Sequence, residues 1–370
     1  MKTPVAPRVA HVAVATAICI TVAACQASSD GDDIRVVPTF RSDPGWPNVP
    51  AQWRLGEVSS IAIDAQDNAW FLHRPYSLPD NEADLSAPPV VGFDASGNFV
   101  DAWGGPGAGY EWPEREHGMQ VDHEGYFWIT GNNCPATTER GLGPVSDDQV
   151  LKFTADGGFV LQIGRTNSSR GNADSANLNE PADAVVHPPT NEVFIADGYG
   201  NHRVAVFDAD TGAFKRLWGA FGNVPEDADN CPRVFTDSVP DGPGPPQFSI
   251  VHAIRVSNDE LVYVADRENR RVQVFTLAGD YIDQIIYRDA PFARNLALSA
   301  DDEQRFLYVG GGAGIMVFDR ASLELLTTIE TTVGTGHLIQ TDSLGNIYIA
   351  ATGAGYERLI FTGLTTSAAN

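Results

Sequence analysis

Three of the eight histidines in this 370-residue chain occur in similar surroundings. His117, His252 and His337 each open a short run that reads His-Gly-Met-Gln-Val, His-Ala-Ile-Arg-Val or His-Leu-Ile-Gln-Thr. If a fold brings these positions together, three neutral imidazoles can hold one Zn²⁺ ion at about 2.0–2.1 Å and leave a fourth position for water or substrate. The alternative is three unrelated histidines that are hydrogen-bonded to water.

Two arginines are placed to bind a carboxylate. Arg74 and Arg267 occupy matching places after the second strand of two repeated units, in Phe-Leu-His-Arg and Val-Ala-Asp-Arg. A guanidinium can hold a carboxylate through two parallel hydrogen bonds. The turn around Arg267 carries four more charged residues, and three of them are expected to stabilise the turn itself: Asp266, Arg270 and Arg271. The alternative for the whole cluster is a solvated turn.

Six repeated units must position these side chains. Within each unit, short runs rich in Val, Ile, Phe and Tyr are separated by Asp-Gly, Gly-Asn or Asn-Asp turns, which is the pattern of antiparallel hairpins. Four short strands per unit, with no unit able to bury both its faces alone, predict an all-β fold of the six-bladed β-propeller type. The last unit lacks an obvious fourth strand, so residues around Val36 to Trp53 are expected to supply it.

Alignment of the six units places the histidines on alternate blades. The equivalent positions, in chain order, are Ser59, His117, Ala182, His252, Arg294 and His337. Alternate blades of a six-fold ring lie about 120° apart, and the first strand of each blade lines the central channel. The three imidazoles are therefore predicted to converge from three sides. Four other histidines share no such position and are expected at the surface or in turns: His73, His123, His187 and His202.

The repeats resemble a known family. The segments ADGYGNHRVAVF and ADRENRRVQVF are similar to NHL repeats. The ordered motifs FLHR, EHGM, DGYGNHR, VHAI, DREN and TGHL resemble peptidyl-α-hydroxyglycine α-amidating lyase. This resemblance covers nearly the whole chain after its N-terminal segment. It implies cleavage of a peptidyl-α-hydroxyglycine, a small-molecule or peptide substrate with a carboxylate, into an amide and glyoxylate.

The resemblance also implies a role for each site residue. The hydroxyl of the substrate must lose a proton as the carbon–nitrogen bond breaks, so the site needs a Lewis acid, a base and a carboxylate clamp. By resemblance, zinc would be held by His117, His252 and His337. Tyr199 would be the base, and Arg74 and Arg267 would bind and polarise the substrate.

Two features of the family are missing from this sequence. A structural calcium in the family takes a carboxylate directly after the third zinc histidine, where this chain has Leu338. Ile61 and Met119 stand where the family supplies backbone carbonyls, so the resemblance implies Ca²⁺ only in part. The disulfide at the Asp-Gly-Tyr turn of the animal enzymes is also absent, because Asn179 and Gly200 occupy its positions.

The first residues have the pattern of an export signal. Lys2 and Arg8 precede an apolar run that ends in Val-Ala-Ala-Cys, and a polar stretch follows. The small residues before Cys25 resemble a bacterial lipobox, which predicts an exported lipoprotein anchored to a membrane of the cell envelope through Cys25. The alternative is an ordinary secretory signal. The predicted domains are a signal peptide (1–24), a tether (25–40), a propeller (41–364) and a tail (365–370).

Charge and cysteine content limit the partners and the compartment. The net charge of −24 argues against nucleic-acid binding, because a phosphate-binding surface needs clustered Lys and Arg. No run after the signal is long and apolar enough to cross a bilayer. Cys134 and Cys231 are the only cysteines after Cys25, and in an oxidising compartment they can form a disulfide or stay as thiols.

Two other functions are compatible with the repeats. One is a non-catalytic NHL propeller that serves as a binding or assembly module at the cell surface, with the proline-rich insertion from Asn223 to Gln247 as its partner surface. The other is a metal-dependent hydrolase or lactonase of the six-bladed kind. That class typically holds calcium with carboxylates and Asn, whereas the alternate-blade positions here are histidines. The metal content of the purified protein distinguishes the three functions. Zinc indicates the lyase, calcium alone indicates the hydrolase, and no metal indicates the binding module.

Overall fold

The computed structural model describes residues 34–227, 242–288, 292–312, 314–353 and 355–368, together with Met1 and Cys231. Within these residues the chain forms six antiparallel sheets of four strands each. The predicted six-bladed β-propeller is therefore confirmed. The predicted signal peptide and the lipidation site Cys25 lie outside the described residues, and both stay predictions.

Each of the first five blades is a meander of four consecutive strands. Blade 1 contains β2 (Glu57–Ile63), β3 (Ala69–Arg74), β4 (Val90–Phe93) and β5 (Phe99–Trp103), and blade 2 contains β6 (Glu116–Val121), β7 (Phe127–Gly131), β8 (Gln149–Phe153) and β9 (Phe159–Gly164). Blade 3 contains β10 (Asp183–His187), β11 (Glu192–Asp197), β12 (Arg203–Asp208) and β13 (Phe214–Trp218).

The next two blades repeat this arrangement. Blade 4 contains β14 (Val251–Val256), β15 (Leu261–Asp266), β16 (Arg271–Thr276) and β17 (Tyr281–Ile286), and blade 5 contains β18 (Asn295–Leu298), β19 (Phe306–Gly311), β20 (Gly314–Asp319) and β21 (Leu325–Glu330). In the described part of the chain three short 3-10 helices connect strands: Pro75–Ser77, Ala83–Leu85 and Ala220–Gly222. No helix among the described residues has both the length and the apolar character to cross a bilayer.

Blade 6 joins the two ends of the described chain. Its inner strands are β22 (Leu338–Thr341), β23 (Ile347–Ala351) and β24 (Gly355–Ala368), and its outer strand is β1 (Ile34–Ser42), which pairs antiparallel with β24. The fourth strand expected around Val36 to Trp53 is β1, and residues 34–40 of the predicted tether and 365–368 of the predicted tail take part in this sheet. Proline is tolerated on an edge strand such as β1, which contains Pro38.

The hydrophobic core consists of six clusters, each packed between two neighbouring blades. Both faces of the second strands are covered, so β3, β7 and β11 are buried along their whole length. This burial explains their continuous apolar sequences, since a strand covered on both faces does not alternate between apolar and polar residues. The outer strands are less buried: β5 is exposed or half-buried throughout, and β9 is so except at Ile163.

The first strand of every blade contacts the first strands of both neighbouring blades. Six strands therefore form a closed wall around the axis: β2, β6, β10, β14, β18 and β22. The residues at the start of these strands lie at one end of the channel. The turns between second and third strands lie at the same end, because the strands of each blade are antiparallel.

Candidate active site

The three predicted metal-binding histidines converge in the channel. His117, His252 and His337 are buried, and one ligand nitrogen of each lies within 4.8 Å of the other two. Their ring centroids are 4.9 Å apart for His117 and His252, 4.5 Å for His117 and His337, and 4.9 Å for His252 and His337. The positions aligned on alternate blades thus meet on the axis.

β-Bulges place two of these histidines. The register of β6 with β7 shifts between Glu116 and Met119, and that of β14 with β15 shifts between Val251 and Ala253. The bulged residues include His117 and His252. A bulge redirects a side chain out of the regular strand alternation, which here points both imidazoles at the axis.

A hydrogen bond from each imidazole fixes its orientation. Nδ1 of His117, His252 and His337 lies 2.7, 2.6 and 2.7 Å from the carbonyl oxygens of Ala182, Arg294 and Ser59, respectively. A carbonyl only accepts, so each Nδ1 carries the proton and each Nε2 presents a lone pair. The three acceptors are the aligned positions of the other three blades. Six equivalent residues therefore form one ring of alternating histidines and carbonyls.

The environment keeps the imidazoles neutral. Burial lowers the pKa of all three well below the ordinary histidine value, and neighbouring positive charges lower it further. For His252 the second contribution comes from His337, and for His337 it comes from Arg74. A neutral imidazole is the form that binds a metal.

Tyr199 and Arg267 lie beside the histidines, as the sequence predicts for residues at the channel mouth. Oη of Tyr199 is 3.0 Å from Nε2 of His117, and Nη1 of Arg267 donates to the same Oη at 3.2 Å. Because Nδ1 of His117 holds the ring proton, the phenol donates to Nε2. Arg267, Tyr199 and His117 thus form one hydrogen-bonded chain that connects blades 4, 3 and 2.

A buried ion pair holds the turn that carries Tyr199. Asp197 ends β11 and accepts hydrogen bonds from Nε of Arg203 at 2.7 Å and from the side chain of Asn201 at 2.8 Å. The other guanidinium nitrogens of Arg203 donate to three backbone carbonyls. Breaking such a pair would leave an uncompensated buried charge, which is strongly destabilising. The pair therefore holds the turn in place.

The turn that carries Arg267 repeats this construction in blade 4. Asp266 accepts hydrogen bonds from Nε of Arg271 at 2.7 Å and from the side chain of Asn269 at 2.8 Å. The remaining guanidinium nitrogens of Arg271 donate to three backbone carbonyls. Most of the charge in this turn therefore holds the backbone, and Arg267 is the residue that extends to the channel.

Arg74 approaches the histidines from blade 1. It is 3% exposed, and its Nε donates to the carbonyl of Glu116 at 2.9 Å while Nη1 pairs with Glu57 at 3.0 Å. Burial raises the pKa of Glu116 to about 7, although Trp112 donates a hydrogen bond to this carboxyl. The guanidinium of Arg74 is thus held in place by the strand of His117.

These side chains surround a cavity of about 160 Å³ at the channel mouth, lined by Arg74, Arg115, Asn132, Tyr199, Arg267, Arg294, His337 and Thr352. Four of them had no site role in the sequence prediction: Arg115, Asn132, Arg294 and Thr352. Arg294 occupies the position in blade 5 that aligns with the three histidines. The repeat alignment could therefore have identified it as a residue of the site. Arg115 precedes His117 by two residues and has no counterpart in the other repeats.

The histidine cluster fits a zinc ion. Three neutral imidazoles are a donor set that zinc accepts in catalytic sites, with one further position for water or substrate. Nε2 of His252 is buried and has no hydrogen-bond partner among the residues that the structure describes. A buried polar atom of this kind is costly unless something binds it. We therefore assign His117, His252 and His337 as the residues that would hold the metal.

The residues around Ile61 and Met119 do not fit a calcium ion. The position expected to supply the carboxylate is Leu338, which is 1% exposed, and the Met119 carbonyl accepts a hydrogen bond from Ser60 at 3.2 Å. Further along the channel the guanidinium of Arg255 already supplies a cation. It donates to Asp183 at 2.6 Å and to the carbonyl of Ile339 at 3.1 Å.

Other predicted residues lie outside the cavity. Cys134 and Cys231 form a disulfide with a Cα–Cα distance of 5.9 Å. The expectation that the remaining histidines are at the surface or in turns is wrong for His73 and His187, which are buried in β3 and at the end of β10. His202 is also buried, but it lies in the turn between β11 and β12. Their side chains satisfy local hydrogen bonds, as when Nδ1 of His73 accepts from the Gly56 backbone at 3.1 Å. Such contacts are invisible in a repeat alignment.

Comparison with known proteins supports the repeat assignment. Residues 178–207 and 248–275 match the NHL repeat. These two segments contain the buried Asp197–Arg203 and Asp266–Arg271 pairs. A solved structure of a streptogramin B lyase superposes with a TM-score of 0.50 at 13% identity, covering 89% of this chain and 98% of that chain. At this identity the likeness concerns the fold alone.

Three relatives are similar in sequence. Peptidyl-glycine alpha-amidating monooxygenase B of Xenopus laevis is 28% identical over 273 residues, which cover 68% of this chain and 26% of the relative. NHL repeat-containing protein 3 of Mus musculus is 28% identical over 243 residues, which cover 64% and 57%. Peptidyl-alpha-hydroxyglycine alpha-amidating lyase 2 of Drosophila melanogaster is 26% identical over 254 residues, which cover 64% and 51%.

The length of these matches limits what they imply. The match spans about a quarter of the Xenopus protein and about half of the Drosophila lyase. The NHL repeat match includes both turns of the candidate site, because its two segments carry Tyr199 and Arg267. The chain therefore contains NHL repeats and is homologous, at moderate identity, to the peptidylglycine α-amidating monooxygenases and the hydroxyglycine amidating lyases.

Proposed function

We propose that this protein is a zinc-dependent lyase that cleaves N-acyl- or peptidyl-α-hydroxyglycine into an amide and glyoxylate. The observation that carries the proposal is the placement of the Tyr199 phenol 3.0 Å from His117 Nε2 and 3.2 Å from Arg267, at the edge of the three-histidine cluster. Homology to hydroxyglycine amidating lyases supports the reaction class.

The reaction needs one proton removed and one bond broken. When bound, zinc supplies a Lewis acid that makes a nearby hydroxyl more acidic. As the base, Tyr199 takes up the hydroxyl proton, and Arg267 donates a hydrogen bond to its Oη. The carbon–nitrogen electron pair moves to nitrogen, which takes up a proton, and the hydroxyl carbon becomes the aldehyde of glyoxylate. Atoms and electrons balance without an added oxidant or reductant.

The cavity suits the acidic end of the substrate. Its volume of about 160 Å³ and its arginine-lined wall accommodate a hydroxyglycine carboxylate, while the acyl or peptide part extends from the mouth. Arg74 and Arg267 supply guanidinium groups on two sides. A carboxylate held in this way keeps the hydroxyl-bearing carbon beside Tyr199, and such positioning lowers the barrier of a reaction.

The test is turnover of α-hydroxyhippurate by the purified full chain loaded with zinc. We expect benzamide and glyoxylate in equal amounts, at a rate well above that without protein, and loss of this activity in His117→Ala. Absence of glyoxylate from a folded protein that contains about one zinc per chain would overturn the proposal.

A second candidate is a non-catalytic binding module. It is favoured by the similarity to NHL repeat-containing protein 3, whose name specifies the repeat and no reaction. Most of the insertion from Asn223 to Gln247 lies outside the described residues, but its end packs on the functional turn, since Arg271 donates to the carbonyls of Pro243 and Pro245. A purified protein that holds no zinc and cleaves no hydroxyglycine supports this candidate.

A further inference from the structure

Arg294 differs from the other arginines of the cavity. It directly precedes β18, is half-buried, and lines the cavity together with Arg267 and His337. Its guanidinium lies over the ring of Phe292, 4.5 Å from the centroid. The side chain makes no hydrogen bond or ion pair with any residue that the structure describes. A half-buried cation without an ion-pair partner among the described residues is an unusual feature in a chain with a net charge of −24.

The three remaining arginines each have a carboxylate partner. Arg74 pairs with Glu57 at 3.0 Å, Arg115 pairs with Glu139 at 2.7 Å, and Arg267 pairs with the adjacent Glu268 at 3.1 Å. Two of the guanidinium nitrogens of Arg74 are already used by these protein contacts. Arg294 is therefore the cavity guanidinium whose donors are not used by any of the described residues.

Arg267 and Arg294 lie close together. Both guanidinium groups approach Phe292, at 5.4 and 4.5 Å from the ring centroid. Two neighbouring cations repel each other in a poorly solvated site, and an anion bound between them removes this repulsion.

The backbone of Arg294 ties this guanidinium to the candidate metal site. Its carbonyl accepts the hydrogen bond from Nδ1 of His252 at 2.6 Å. One residue thus orients a histidine through its main chain and faces the cavity with its side chain. A substitution of the side chain leaves the carbonyl in place, so the two roles can be separated by experiment.

We infer that Arg294 binds the carboxylate of the substrate together with Arg267, and that it is a substrate-binding residue of the site. The inference rests on the proposed function for the identity of the substrate, an N-acyl-α-hydroxyglycine. A planar guanidinium fork can hold both oxygens of a carboxylate, which an isolated charge cannot do. Arg74 keeps the carboxylate-binding role proposed above, and its hydrogen bonds to Glu57 and to the Glu116 carbonyl hold it in place.

The test uses hippurate, which carries the carboxylate but lacks the hydroxyl that cleavage requires, and neutral hippuramide as its partner. Binding of both is measured by calorimetry for the zinc-loaded full chain and for Arg294→Gln. We expect the Kd of hippurate to rise about 10- to 100-fold in the variant, because charge-assisted hydrogen bonds are lost. The Kd of hippuramide and the zinc content should not change.

Arg305→Gln is the matched control. Like Arg294, Arg305 is half-buried and lies near a phenylalanine ring, 5.4 Å from the centroid of Phe306. It lies at the start of β19, at the end of blade 5 away from the histidines. The variant removes the same charge and should leave hippurate binding unchanged. If Arg294→Gln does not fold, Arg294→Lys replaces it, with an expected loss of hippurate affinity that is smaller but still specific to the carboxylate.

The outcomes separate this inference from the proposed function. Hippurate binding that depends on Arg294, in a protein that does not cleave α-hydroxyhippurate, supports the carboxylate site and contradicts the lyase. Cleavage of α-hydroxyhippurate with equal hippurate affinity in wild type and Arg294→Gln supports the lyase and overturns the inference. Absence of hippurate binding by the wild-type protein also overturns it.

Discussion

Arg267 donates a hydrogen bond from Nη1 to Oη of Tyr199 at 3.2 Å, so a guanidinium and a phenol from neighbouring blades meet beside three histidines. Each of the two residues lies on a turn held by a buried Asp–Arg pair. In blade 4 the backbone N–H of Arg267 also binds the carbonyl of Ile250, two residues before His252. The two buried Asp–Arg pairs therefore fix the positions of Tyr199, the proposed base, and of Arg267, its positively charged neighbour.

Tyr199→Phe removes the base and leaves the ring. We expect glyoxylate release from α-hydroxyhippurate to fall by about 100- to 10,000-fold, the usual contribution of a positioned general base. Zinc content and thermal stability should change little. Tyr110→Phe is the control, because the hydroxyl of Tyr110 donates to the Gly105 carbonyl in the outer part of blade 2. Full activity in Tyr199→Phe would remove this residue from the mechanism.

Arg267→Lys tests the guanidinium fork. Lysine keeps the charge but cannot make two parallel hydrogen bonds, so kcat/KM should fall by about 10- to 1000-fold, while zinc content stays constant. Arg270→Lys, in the same turn, should have little effect because this residue belongs to the scaffold. Equal activity in both variants would make Arg267 an ordinary turn residue, and unfolding of Arg267→Lys would make it structural.

The alternation of the histidines could be predicted from sequence because the repeats have a common register. Ser59, His117 and Ala182 align without knowledge of the structure, and the structure places all six equivalent residues in one ring. Tyr199 and Arg267 were also predicted to lie at the mouth, since the second strand of a blade ends where the first begins.

The remaining features depend on packing that no repeat pattern encodes. Arg115 reaches the cavity from a loop whose course is set by hydrogen bonds from its backbone to Asp147. The bulges at His117 and His252 arise where strand pairing is interrupted, and sequence alone does not locate them. Arg294 occupies the expected alignment position, but that no described residue pairs with its side chain is visible only in the structure.

His73 should make the protein sensitive to acid. Burial lowers its pKa from 6.5 to about 4, while Nδ1 accepts a hydrogen bond from the Gly56 backbone. Between pH 6.5 and about 4, His73 binds a proton more readily in the unfolded chain than in the folded protein. The free energy of unfolding should therefore decrease as the pH falls from 6.5 to 4, by about 3 kcal/mol from this residue.

Urea unfolding of wild type and His73→Asn from pH 7.5 to 4 measures this contribution. We expect the difference in stability between the two proteins to shrink by about 3 kcal/mol as the pH falls. His123→Asn, a substitution at an exposed turn, should give a curve parallel to that of the wild type. A curve for His73→Asn that is also parallel would contradict the burial argument.

The disulfide between Cys134 and Cys231 should stabilise the mouth of the channel. It links the loop after β7, which also carries Asn132 of the cavity wall, to a segment 97 residues away. Replacement of both cysteines with serine should lower the free energy of unfolding by about 2–5 kcal/mol, since a long loop loses its cross-link. Thiol labelling provides the check, and two reactive thiols at these positions in the native protein would contradict the cross-link.

The most direct test of the central claim is zinc-dependent glyoxylate release, measured in parallel for wild type and His252→Ala. Both proteins are stripped of metal, titrated with zinc and assayed with α-hydroxyhippurate, while the zinc bound per chain is determined. We predict that wild-type activity rises to a maximum at about one zinc per chain. A folded His252→Ala should bind zinc weakly and recover little activity. Wild-type activity that does not depend on zinc, or equal zinc binding and activity in His252→Ala, would contradict the three-histidine zinc site.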